Sequence, residues 1–320
     1  MTATPPTTNQ PDPARGPIRS YASVNRSSRW LADFTALLQG SAERRRRMPE
    51  YVADVLSWCR EGQAMIAQHL GRPVQGLDIL EIGVGQLPRQ TAYFARHNRV
   101  IGIDLDLAPR GIDLPGYWRM LRTNGVKRLA KTIGRKAVGF DRAFERELAR
   151  QLGVDRLPKV TLLQMDATAM TFPTASFDVA FSYDVFEHLP DPAAVLRQTA
   201  RVLRPGGVAF NWIHPITAED GFHDLRIIAG RRDAVPRWAH LRPSCRHLTE
   251  SSAYLNQWRL AQWRDVIARE MPGATIHLTA PPNQQTLRSE LTTLRATGEL
   301  ADFTDEELLA HRLLMCWRKP

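Results

Sequence analysis

Cysteine is scarce in this chain: 320 residues hold three, Cys59, Cys245 and Cys316, and no two form a C-x-x-C pair. That spacing argues against a disulfide framework and against a zinc ribbon, and it suits a reducing, cytoplasmic compartment. Long apolar runs are missing too. No stretch approaches the ~18 residues that a membrane span needs, and Met1 to Ser20 lacks the apolar centre of a secretory signal. No Gly-Lys-Ser/Thr follows a glycine turn, which excludes a phosphate-cradling P-loop. No internal repeat is visible. Acids are in deficit, 33 against 43 Lys and Arg, for a net charge of +10. That balance suits an anionic partner such as a phosphate-bearing substrate, a nucleic acid or a lipid surface; a basic surface that only aids solubility explains it equally well.

What is present is globular in character. Hydrophobic residues make up 43% of the chain, with eight Trp and eleven Phe, enough for a sizeable core. Residues 1–27 are rich in Thr, Pro, Asn and Ser and read as a disordered tail. Residues 28–76 read as an N-terminal helical cap, with Trp30, Leu31, Phe34, Leu37 and Leu38, then Tyr51, Val52, Val55, Leu56 and Ile66, at helical spacing. Four arginines in "ERRRRMPE", between those runs, read as a solvated corner more readily than as a nucleic-acid contact. Strand candidates follow at 77–82, 99–104, 159–165, 177–183, 207–214, 274–279 and 312–318. Strands alternating with helical stretches predict one α/β domain over 77–320, a doubly wound, mostly parallel, seven-stranded Rossmann-like sheet. Two stretches break the rhythm, 107–158 and about 215–250. Both leave the carboxyl ends of strands, where open α/β sheets bind ligands. The first carries twelve Lys and Arg against five acids. It reads as a helical insertion, either roofing the pocket of an anionic acceptor or only covering the sheet.

"LDILEIGVGQLPRQ", Leu77 to Gln90, is a short apolar strand entering a glycine turn. Gly83 and Gly85 allow a tight turn and let a ligand lie against bare backbone. The next strand ends in Asp104, 19 residues after Gly85, where a carboxylate takes the hydroxyls of an adenosine ribose. A dinucleotide fingerprint needs a third glycine at position 88, which is Pro88, so NAD and FAD are disfavoured.

The turn resembles the E-x-G-x-G-x-G motif of class I S-adenosylmethionine-dependent methyltransferases, with Glu81, Gly83 and Gly85 in place and Leu87 at the last glycine. "VTLLQMDATAMTFPTASFDVAFSYDVFEHLPDPAAVLRQTARVLRPGGVAF", Val160 to Phe210, is similar to that family's central half, in motif order. The similar blocks cover about 77–107 and 159–214, roughly a quarter of the chain. The resemblance implies S-adenosyl-L-methionine as cofactor, held by Glu81, Gly83, Gly85, Asp104, Leu105, Asp166, Ala167 and Tyr183, with Asp166 at the adenine amino group. It also implies a last strand inserted antiparallel. The residues themselves place a helix N-cap at Asp191 with Pro192 first, an apolar helix face through Val195, Leu196, Val202 and Leu203, and a turn at Pro205-Gly206-Gly207. "AYLNQWRLAQWRDVIAREM", from Ala253, reads as one helix, and Thr304 with Glu307 as a capping box.

A methyl group on a sulfonium is already activated, so the protein supplies alignment and desolvation, plus a base if the acceptor is a hydroxyl. The candidates are His188, after the fourth strand, and His214, which closes the fifth; His188 also suits a structural role. His214, Asp220, His223 and Asp224 together match no strong metal spacing, and no metal is expected. The expected reaction is O-methylation of a small-molecule or carbohydrate-like acceptor bearing a phosphate or carboxylate. Two rivals remain at this stage. A nucleic-acid-binding or RNA-modifying protein is favoured by charge but lacks a recognised RNA-binding module. A catalytically silent methyltransferase-like binding protein is the other.

Overall fold

The computed structural model describes residues 30–109, 113–228, 230–249, 251 and 253–320. The expected tail at 1–27 lies outside them. Seven strands form one sheet: β1 (Asp78–Ile82), β2 (Arg99–Asp104), β3 (Thr161–Gln164), β4 (Phe177–Tyr183), β5 (Leu203–Ile213), β6 (Thr275–Thr279) and β7 (Arg312–Arg318). Their order is β3-β2-β1-β4-β5-β7-β6. β1 to β5 run parallel, and β7 inserts antiparallel between β5 and β6, as the resemblance implied.

The helices are α1 (Trp30–Arg46), α2 (Met48–Leu70), α3 (Arg89–Phe94), α4 (Leu114–Ala137), α5 (Phe140–Leu152), α6 (Pro192–Val202), α7 (Leu225–Ile228), α8 (Leu260–Glu270), α9 (Gln284–Ala296) and α10 (Asp305–Leu308). They cover both faces because successive strand residues point to opposite sides. Ile79, Val179, Phe181, Phe210 and Cys316 face Val52, Val55, Leu56, Cys59 and Ile66 of α2 in one buried cluster. Leu80, Ala180, Ala209, Leu313 and Met315 face Val195 and Leu196 of α6 and Trp263 and Ile267 of α8 in another. All three cysteines are buried and free.

α2 begins with Pro49 in its first turn, ends on the left-handed Gly71, and lays an apolar stripe directly on the sheet. The 107–158 insertion forms α4, kinked at Gly125, and α5. Phe140 and Phe144 of α5 pack on Tyr51 of α2, each with ring centroids 5.9 Å apart. The arginine run forms the corner between α1 and α2, and Arg45 donates to the Val138 carbonyl that ends α4.

Two local expectations need correction. Leu203 does not continue the α6 face: its ψ of 141° takes it into β5, where it pairs with Phe177 ahead of an irregularity in the ladder. Pro205-Gly206-Gly207 therefore lies inside β5, with Gly206 donating to the Lys319 carbonyl at 2.8 Å. The helix expected from Ala253 starts only at Leu260. Asn256 spends its side-chain amide on the carbonyls of Phe186 (2.8 Å) and Leu189 (3.1 Å), and Gln257 adopts a φ of 58°. Both compete with helix formation. Asp191 caps α6 through Ala194 N–H, and Thr304 and Glu307 form the capping box of α10.

α2 meets the sheet most tightly at Gly62. A Cβ there would stand 2.0 Å from the Tyr183 hydroxyl and 2.9 Å from Phe210 Cε1. Gly62→Ala should therefore lose stability, by about 1–3 kcal/mol from overpacking, despite the ~0.5–1 kcal/mol that alanine usually gains over glycine in a helix. Adding Tyr183→Phe should restore part of the loss. Chemical denaturation checks both; equal stability of Gly62→Ala and wild type would overturn this account of the packing.

Candidate active site

The carboxyl ends of β1, β2 and β4 open into a cavity of about 2000 Å³. Gly83 and Gly85 both have positive φ, 78° and 67°, which glycine adopts without strain. A Cβ on Gly83 would come within 2.3 Å of Val185 Cγ2, so this turn packs against the exit loop of β4. At Gly85 nothing lies within 4 Å, and its backbone is bare to the cavity. Leu87, at the family's third glycine, is 5% exposed and packs into the α2 side of the core.

Asp104 ends β2 with its carboxylate held by two backbone donors, Gly85 N–H at 2.7 Å and Asp106 N–H at 2.9 Å. Burial raises its pKa above the usual carboxylate value, against the pull of those two donors. Asp166 caps the turn 167–169, accepting from Thr168 N–H at 2.8 Å and from its hydroxyl at 2.7 Å. Tyr183 is buried, and its hydroxyl donates to the Trp58 carbonyl of α2 at 3.2 Å. Gly83, Gly85, Asp104, Leu105, Asp166, Ala167 and Tyr183 all line the cavity. Glu81 does not: it lies 1% exposed beneath the turn, accepting from the Thr91 hydroxyl of α3. Burial pushes its pKa up to about 8; the Thr91 bond lowers it, and neighbouring Asp104 raises it further.

His188 lines the cavity, its Nδ1 2.8 Å from the Tyr254 carbonyl. His214 is not among the lining residues. It is buried, with Nε2 3.1 Å from Asp220 Oδ1 and Nδ1 3.0 Å from His223 Nε2. The His223 ring lies 4.9 Å from the rings of both His188 and His214. Burial holds all three imidazoles below their ordinary pKa, hence neutral at pH 7. Burial works against the charge of Asp220, yet its bond to His214 and nearby Arg312 and Arg232 keep its pKa well below the usual range. Glu187 is 2% exposed; burial and the charge of Asp184 push it well above that range. Asp224 stands apart from this group, ion-paired to Arg226 at 2.6 Å.

Sequence reading passed over other residues of the cavity: Trp58, Asp184, His240, Arg246 and Arg259. His240 stacks on Phe222 and bonds the Ile216 carbonyl, and burial lowers its pKa to about 4. These residues come from α2, the exit of β4, the 215–250 stretch and the approach to α8. No motif marks them; the signal available was that 215–250 leaves the carboxyl end of β5. Among the described residues, none from 107–158 lines the cavity. There Arg128 pairs with Asp106 at 3.1 Å, tying α4 to the end of β2, and Arg135 with Asp141 at 3.2 Å, tying α4 to α5.

A glycine turn after one parallel strand and a carboxylate at the tip of the next is an arrangement in which α/β proteins bind nucleoside cofactors. A family profile described as a methyltransferase domain matches residues 123–211. Over 89 residues the chain is 40% identical to 27-O-demethylrifamycin SV methyltransferase of Amycolatopsis mediterranei, 28% of this chain and 30% of that one. It is 27% identical over 203 residues to a sterol 24-C-methyltransferase of Aspergillus fumigatus, 51% of this chain and 53% of that one. The chain thus spans between about a third and a half of these relatives' lengths. A solved S-adenosylmethionine-dependent methyltransferase from Mesorhizobium loti aligns with a TM-score of 0.41 at 18% identity, over 77% of this chain and 92% of that one. Over these matched stretches the chain is similar to the S-adenosylmethionine-dependent methyltransferase family. S-adenosyl-L-methionine is that family's cofactor.

The state of Glu81 has a measurable consequence. Its folded pKa of about 8 lies above the ordinary 4.5, so between those values the folded chain keeps a proton that the unfolded chain releases. Stability contributed at low pH is then lost as pH rises through that window. Glu81→Gln, which never ionises, should gain on wild type in melting temperature from pH 5 to pH 8.5. Parallel melting profiles for the two proteins would refute the buried, protonated state.

Proposed function

We propose that the chain transfers the methyl group of S-adenosylmethionine to an oxygen of a small, carbohydrate-like acceptor bearing a phosphate or carboxylate. The observation that carries this reading is a large cavity whose lining differs in character from part to part. Its lining combines the glycine turn, Asp104, Asp166 and Ala167 from the ends of β1 to β3 with His188, His240, Arg246 and Arg259 from the loops after β4 and β5 and the start of α8. Its volume of about 2000 Å³ exceeds the ~300–1,000 Å³ typical for one small ligand, leaving room for cofactor and acceptor together.

In this reading Gly85 exposes its backbone to the cofactor, Asp104 takes the ribose hydroxyls, and Asp166 and Ala167 meet the adenine. Leu105 and Tyr183 supply apolar walls, and Glu81 supports the turn from beneath. The methyl group passes in line from sulfur to the acceptor oxygen, leaving a neutral thioether, while the acceptor proton passes to the histidine cluster. His188 is the member of that cluster on the cavity wall; His214 acts behind it, through His223. The Amycolatopsis relative is named for an O-demethylated acceptor and the Aspergillus one for a sterol carbon. The choice of oxygen here rests on the neutral imidazoles, and the anionic acceptor on Arg246, since Arg259 is paired with Glu307 at 2.6 Å. The cytoplasm is the proposed compartment; no described helix is long and apolar enough to cross a membrane.

Calorimetry tests the cofactor half. Asp104→Ala should weaken S-adenosylmethionine at least tenfold, because each charge-assisted hydrogen bond to ribose contributes about 1.5–3 kcal/mol. Unchanged affinity, or tighter binding of NADH than of S-adenosylmethionine, would sink the assignment. Mass spectrometry after incubation with labelled cofactor and a metabolite extract tests the acceptor half. The expected product is an O-methylated compound retained on an anion exchanger; a neutral or N-methylated product would overturn it.

A further inference from the structure

Behind the cavity wall, the exit loop of β4 meets the loop that follows β5. Glu187, His188 and His223 each bring one ligand-type atom to a common point, a carboxylate oxygen and two ring nitrogens, all within 4.8 Å of one another. We propose that these three residues bind one divalent transition-metal ion, in a site with two imidazoles and one carboxylate.

Several independent features support it. Glu187 is 2% exposed, and its Oε2 has no hydrogen-bond partner among the described residues. A buried carboxylate oxygen left unpaired is costly unless a cation or donor meets it. Its other oxygen accepts from the His214 backbone N–H at 3.3 Å, which aims the group.

The hydrogen bonds around the two histidines set their tautomers. His188 Nδ1 faces the Tyr254 carbonyl, which can only accept, so the proton sits on Nδ1 and the lone pair on Nε2. Ionised Asp220 accepts from His214 Nε2–H, so His214 Nδ1 accepts from His223 Nε2–H. The lone pair of His223 is thereby on Nδ1. Each ligand imidazole thus donates its other N–H outward, to a carbonyl or along a histidine–carboxylate chain, as metal-bound histidines do.

The backbone is shaped to the same end. His223 is held at a φ of 52°, a conformation rarely adopted by a residue with a side chain. The turn before it is closed by Gly221, where a Cβ would fall 2.4 Å from the Pro215 carbonyl oxygen. Charge is suitable too. Glu187, Asp220 and Asp184 gather here, and the facing Arg312 is ion-paired with Asp184 at 3.4 Å. Two nitrogen ligands favour zinc, iron(II) or manganese(II) over magnesium or calcium. Because His188 is also cavity wall, the ion would set a positive charge where the acceptor oxygen arrives; bound to it, His188 has no lone pair left for the acceptor proton, which in the metal-bound form leaves to water as the ion lowers the pKa of the acceptor hydroxyl. That role rests on the methyl-transfer reading; the site itself does not.

The test uses untagged, chelator-stripped full-length protein titrated with Co²⁺ and with Zn²⁺ in the absence of S-adenosylmethionine. The expected result is one equivalent per chain, with cobalt d–d absorption. Glu187→Gln and His223→Asn should each weaken binding at least about tenfold with far-UV circular dichroism unchanged. Should either variant fail to fold, zinc-edge X-ray absorption of the wild type decides, through a first shell containing two imidazole nitrogens. No stoichiometric binding, binding untouched in both folded variants, or a shell without histidine would overturn the site. Cofactor affinity, measured separately, keeps failure of the metal site distinct from failure of the methyl-transfer reading.

Discussion

The end of β4 is the constraint on which the rest of the site depends. Tyr183 occupies the space over Gly62 and holds α2 to the sheet through the Trp58 carbonyl. Two residues on, Val185 fills the space over Gly83 and sets the glycine turn. Asp184 reaches Arg312 at the start of β7, and Glu187 and His188 turn toward the loop after β5. Five residues within 183–188 therefore register four elements against one another. None can shift without opening a void or a clash in a close-packed interior.

Electrostatics is organised around burial. Glu81, Asp104 and Glu187 are acids whose pKa values burial raises, and the imidazoles of His188, His214 and His223 are kept neutral by the same cause. Such perturbed groups gather where a protein binds or reacts, because only a desolvated site makes single charges matter. The net charge of +10 has a different use. In the insertion, Arg128 and Arg135 are spent on buried pairs with Asp106 and Asp141, which orient helices more than they stabilise them. The cations that reach the cavity, Arg246 and Arg259, stand far along the chain from that basic stretch.

By itself the sequence determined the strands, their mostly parallel arrangement and the glycine turn, Asp104 and Asp166 that line the cavity. Those features are local: apolar runs bounded by Gly and Pro, a positive-φ turn that needs glycine, an acid at a strand tip, a cap at Asp191 and a box at Thr304. Where local signals compete, the reading failed. Leu203 suits a helix face as well as a strand, and the ladder with Phe177 decided it. Ala253 to Arg259 has helical periodicity, but Asn256 gains more from the β4 exit loop than from helix. Tertiary structure alone brought His240, Arg246 and Arg259 to the cavity and assembled the histidine cluster. Asp220, His214, His223 and His188 meet through loop closures that no periodicity encodes. For the same reason Asp224, four residues from Asp220, turns instead to Arg226, and Glu187, unremarked in the sequence, becomes the buried carboxylate at the centre of the cluster.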